Sequence, residues 1–68
     1  MSDMLLQALK KKLEGDVAVA KANVLVYKEQ SVGIGEHPDV MAAIETELNA
    51  ISQAHEKIQV INHYFLIR

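Results

Sequence analysis

The sequence predicts an all-α fold, an antiparallel αα-hairpin of two long helices, and three observations carry that prediction. Apolar residues recur at alternating steps of three and four through both halves of the chain. Turn chemistry is confined to one stretch, Ser31 to Pro38, which holds two of the three glycines and the one proline. Elsewhere the composition favours Ala, Leu, Glu, Lys and Gln, whose side chains lose little freedom in a helix. The expectation is one domain over residues 1–68, with a helix over about 3–30, a turn over about 31–37 and a second helix over about 38–66.

The first helix rests on Leu6, Leu9, Leu13, Val17, Ala20, Val24 and Tyr27, whose steps average about 3.5 residues, the repeat of a helix seam. Ser2 or Asp3 caps its start, a short side-chain oxygen accepting amides that the first turn leaves unpaired. Asp16 to Ala20 and Val24 to Tyr27 are rich in β-branched residues and offer a rival reading as two short strands. The seam runs through both stretches without losing phase, and Lys21, Ala22 and Asn23 between them include no proline or glycine to turn the chain, so the helix is preferred. Gly15 costs this helix about 1 kcal/mol relative to alanine and marks either a bend or a close contact with a neighbouring helix.

In the turn, Gly33 or Gly35 can adopt the left-handed conformation that closes a helix C-terminus. Pro38 suits a first helical position and keeps His37 extended, while Asp39 sits at the positive end of the following helix dipole. The second helix is read from Met41, Ile44, Leu48, Ile51, His55, Ile58, Asn62 and Phe65 and spans roughly 30 residues, about 45 Å. With the turn centred between Gly35 and Glu36, Tyr27 faces Ile44, Ala20 faces Ile51, Leu13 faces Ile58 and Leu6 faces Phe65. The layers between bring Val24 to Leu48 and Val17 to Ala54 or His55.

A lone hairpin leaves much of this chain's apolar surface in water, because two helices offer each other one stripe apiece. Leu5, Ala8, Val19, Ala22, Leu25 and Val26 lie beside the first seam, and Val40, Ala43, Ala50, Ala54, Val60 and Ile61 beside the second, with Leu66 and Ile67 beyond. Burying even about 400 Å² of that surface is worth about 10 kcal/mol gross, comparable with the whole stability of a small domain. The expected partner is a second copy, two hairpins dimerising into a four-helix bundle through Leu5, Ala8, Val19, Ala22, Val26, Ala43, Ala50, Ala54 and Ile61. Burial against a different protein demands the same stripe.

Other activities find little support. With no cysteine there is no disulfide framework, thiolate metal site or thiol nucleophile, and the expected compartment is the cytoplasm. A net charge of -2 with both signs interspersed gives no field for nucleic acid. The run Lys10 to Lys12 reads as a solvated helix face with partners in Glu14 and Asp16. No apolar run approaches the ~18 residues of a membrane span, and Asp3 stands where a secretory signal carries positive charge. Val32 to Pro38 lacks the lysine and third glycine of phosphate-binding loops, and Glu36 and Asp39 repel an anion.

For metal, the bundle motif Glu-x-x-His is absent, since Ser52 and Val60 precede His55 and His63 by three, and Gln59 stands where a second histidine would follow His55. His55 and Asn62 are read as register-setting or rim positions of the seam and His63 as solvent-facing. No cofactor, metal or catalytic residue is assigned.

The stretch Val32 to Val40, followed by the Ala-, Ile- and Glu-rich helix ending in Ile61, Asn62, His63, Tyr64 and Phe65, resembles small helical-hairpin proteins of tailed marine bacteriophages. The resemblance covers the second half of the chain and implies no activity or functional residue. It would imply a short accessory protein in the cytoplasm of an infected bacterium. The expected role is a non-enzymatic interaction or assembly protein. The alternative is a small adaptor or inhibitor that docks its apolar helix face on a host or phage protein.

Overall fold

The computed structural model describes residues 2–30 and 37–66, and every one of these residues is helical. Helix α1 runs Ser2–Gln30 and helix α2 His37–Ile61, and a π-helical turn, Asn62–Leu66, continues α2. The predicted capping glycines Gly33 and Gly35 and the rest of residues 31–36 lie outside the described residues, while His37, expected to stay extended before Pro38, is instead the first residue of α2. Asp16 to Ala20 and Val24 to Tyr27, the β-branched stretches, are both inside α1, so phase with the seam outweighs local propensity there. Pro38 falls in the first turn of α2, where its missing N–H leaves no intrahelical bond unmade.

The helices pack side by side, giving a rod of 52 × 14 × 14 Å. Their cluster of contacts brings the first half of α1 to the end of α2: Leu13, Ala54 and Ile61 form the core, with Leu6, Val17, Ile58 and Leu66 packed on it. That pairing is antiparallel. Leu13 and Ile58, placed opposite each other by the sequence, belong to this same cluster.

The seam of α1 is Leu6, Lys10, Leu13, Val17, Ala20, Val24 and Tyr27, all buried or half-buried. One expectation is corrected here. Leu9 is 46% exposed, and Lys10 takes its place one position on, keeping the regular alternation of four and three. Lys10 lines an open cleft with Gln7, Gln59 and Asn62, a setting in which its aliphatic stem can cover the seam.

On α2 the seam is rotated from the predicted one. Ile44, Ile51 and Ile58 lie where expected, but the positions between them are Glu47, Ala54 and Ile61, preceded by Val40. Met41, Leu48 and His55 are exposed instead, and Asn62 is half-buried. Both stripes share the three isoleucines, so the sequence pattern alone is ambiguous between them. Packing resolves it. The predicted stripe would press the His55 ring into the seam; the observed one substitutes Ala54 and Ile61, which cluster with Leu13, and half-buries Glu47 in place of Leu48 toward the other end. No buried polar side chain is left unpaired among the described residues.

The π turn explains a second correction. After Ile61 a regular α-helix would bring Phe65 to the seam, as the sequence suggests. A π turn holds one more residue, so the phase slips by one: Leu66 packs on the core and Phe65 is 59% exposed.

Candidate interaction surface

The candidate functional site is a surface, and it follows from the seam. With Leu13 and Ala20 facing α2, the residues half a turn away on α1 are Ala8, Gly15 and Ala22, with Glu29 continuing the line at the end of the helix. Beside this line stand Met4, Lys11, Ala18 and Leu25 on one side and Leu5, Lys12, Val19 and Val26 on the other, all exposed. A Cβ built on Gly15 meets nothing within 4 Å, which confirms that this line looks away from α2. The close contact foreseen as one role for Gly15 is therefore not made within the hairpin.

The equivalent outer face of α2 carries Asn49 and Glu56, flanked by Glu45, Ser52 and Gln53, and is mainly polar, with Ala42 and Val60 also on it. Thr46 on that helix turns its hydroxyl back to donate to the Ala42 carbonyl at 3.1 Å. Exposed large apolar side chains occur on both helices: on α1 five of them flank the Gly15 line, among them Leu5 at 75%, Val19 at 62% and Leu25 at 59% exposure, and on α2 and its π turn they are Met41, Leu48, Val60, Tyr64 and Phe65.

Of the nine residues expected to meet a second chain, Leu5, Ala8, Val19, Ala22, Val26 and Ala50 are exposed and Ala43 is half-buried. Ala54 and Ile61 are corrected: at 5% and 6% exposure they belong to the hairpin's own core, because the α2 seam is rotated onto them. Sequence reasoning in turn assigned Met41 and Leu48 to the seam, and the structure places them on the surface. Together with Ile44 they line an open apolar groove. The three shared isoleucines concealed this, and the polarity of His55 was the signal that could have revealed it.

The whole chain exposes 5283 Å², about 1,000 Å² more than the ~4,300 Å² typical of a compact folded chain of its 7.6 kDa mass. Polar features of the surface are ordinary. Lys12 pairs with Asp16 at 2.9 Å, one helical turn apart and in water, so the pair contributes little to stability. His63 is exposed, and its ring meets Tyr64 edge-on with centroids 4.6 Å apart. Among the described residues, no group of three or more His, Cys, Asp or Glu side chains stands together in a way that could hold a metal ion. Nor is any described helix long and apolar enough to cross a membrane. No protein-family model matches the chain, and comparison with curated proteins and with solved structures likewise gives no match.

Proposed function

We propose that the protein is a non-enzymatic interaction or assembly protein that works as a homo-oligomer, two hairpins associating into a four-helix bundle. The observation that supports this is the exposed apolar surface of the hairpin, on α1 from Met4 to Val26 and on α2 at Met41 and Leu48, set against a core of four buried residues among those described, Leu13, Ala20, Ala54 and Ile61. So thin a core needs support from association, since a chain this short buries little of its own surface. The cytoplasm is its proposed compartment, which a cysteine-free sequence suits.

Association makes stability depend on protein concentration. The melting temperature is therefore expected to rise as the chain is concentrated from the low micromolar range upward, with sedimentation giving twice the 7.6 kDa chain mass. A stably folded monomer at micromolar concentration would overturn the reading.

A second reading, an adaptor or inhibitor that docks on a host or phage protein, draws on a separate feature. The groove of Met41, Ile44 and Leu48 lies off the α1 outer face, so association through α1 leaves it open to a different chain. On this reading the isolated protein is partly unfolded and gains helix only when its partner is added.

A further inference from the structure

The geometry points to one way for two copies to meet: the outer face of α1 packs antiparallel on the same face of a second chain, around a two-fold axis at Gly15. This deepens the homo-oligomer reading and rests on it. The first argument is area. The hairpin as a whole exposes about 1,000 Å² beyond a compact chain of its mass, a stable dimer covers about 800 Å² on each partner, and Met4, Leu5, Val19, Leu25 and Val26 put apolar side chains of 52–75% exposure on this face.

The second argument is the order of residues along that face. An isologous contact needs a patch that matches itself when reversed. Read outward from Gly15 in both directions, Ala8 and Ala22 stand at equal distance, and at the ends Met4 and Leu25 on one flank, and Leu5 and Val26 on the other, stand within one residue of equal distance. Between them the face differs: Lys11 and Lys12 lie on one side of Gly15, Ala18 and Val19 on the other. Antiparallel pairing sets each lysine pair over the partner's Ala18 and Val19, where the long stems cover small apolar groups and the ammonium groups reach the rim. Parallel pairing sets lysine against lysine and is disfavoured by like charge. At the axis, Gly15 has open space where a side chain would be, so the two backbones can approach closely there. The four helices then lie in a row, α2, α1, α1 and α2, which flattens the bundle of the homo-oligomer reading and leaves the outer faces of α2 outside.

Single cysteines test this directly, because the native chain has none. Gly15→Cys sits in open space on the hairpin's surface, and a symmetric contact at residue 15 should let it oxidise to a covalent dimer in high yield. Ala8→Cys should not cross-link to itself, nor should Ala22→Cys, but an equimolar mixture of the two should give the mixed disulfide, since antiparallel pairing alone brings residue 8 to residue 22. Asn49→Cys, on the outer face of α2, is the negative control, and circular dichroism of each variant verifies that the helices persist. If sedimentation shows a dimer while Gly15→Cys stays uncross-linked, or while Ala8→Cys cross-links to itself, this pairing is overturned and the homo-oligomer reading survives. A wild-type monomer removes both.

Discussion

Half a turn from the shared seam, α2 carries Asn49 and Glu56 where α1 carries Gly15 and Ala22. Both helices give the hairpin one apolar stripe; behind it α2 is mainly polar, with Ala42 and Val60 as exceptions, whereas α1 carries small and aliphatic residues interrupted by Lys11 and Lys12. A helix that is apolar all round belongs inside an assembly, and one with a single apolar stripe belongs at its surface. With an apolar second face broken by Lys11 and Lys12, α1 departs from the single-stripe pattern on the side away from its partner helix, whereas α2 departs from it beside the seam, at Met41 and Leu48. The comparison teaches which element wants a further neighbour, something the total apolar content could not say.

The severest way to probe the comparison is at the seam, where both helices should behave alike. Ala20 is 2% exposed, so Ala20→Asp places a carboxylate where water cannot reach it and should cost about 4 kcal/mol or more, enough to abolish helicity by circular dichroism at any concentration. Survival of a cooperative melt would mean that Ala20 is not central to the core. On the outer faces the helices should part company. Ala22→Glu is expected to weaken self-association about a hundredfold, near 2.7 kcal/mol, while much of the helicity remains. Asn49→Glu at the corresponding place on α2 should change stability by less than about 0.5 kcal/mol and leave association intact. Equal responses of the two variants in sedimentation would erase the distinction between the faces.

The fold was legible because two signals agreed: a helical period through both halves and turn residues gathered between Ser31 and Pro38. The seam of α1 was legible nearly throughout, with Lys10 in place of Leu9, since a long side chain can lie along a seam that a polarity pattern assigns to a leucine. The seam of α2 was half legible. Ile44, Ile51 and Ile58 serve two stripes equally well, and which one is used depends on how Ala54 and Ile61 fit Leu13, a tertiary fact. The change from Phe65 to Leu66 was not legible at all, because the π turn that slips the phase has no sequence pattern of its own. That change can be checked. Leu66→Ala should lower stability by about 1–2 kcal/mol, whereas Phe65→Ala, despite removing a larger side chain, should stay within about 0.5 kcal/mol in chemical denaturation. The reverse order would show a regular α-helix through residue 65.

The smallest effect is also the most discriminating, because its sign depends on whether α1 has a neighbour. A glycine within a helix costs about 1 kcal/mol relative to alanine, and at Gly15 a methyl group has free space in the single hairpin. Below the concentration at which chains associate, Gly15→Ala should therefore stabilise the protein by somewhat under 1 kcal/mol, a rise of about 4–8 °C per kcal/mol in a domain of this size. Above that concentration the same methyl stands between two closely approaching backbones. The gain should shrink or reverse, and the dissociation constant should rise, because a close helix contact has no room for the added group. A gain in melting temperature that is identical across the concentration range would place Gly15 in water in every state of the protein and transfer the burden of association to another face.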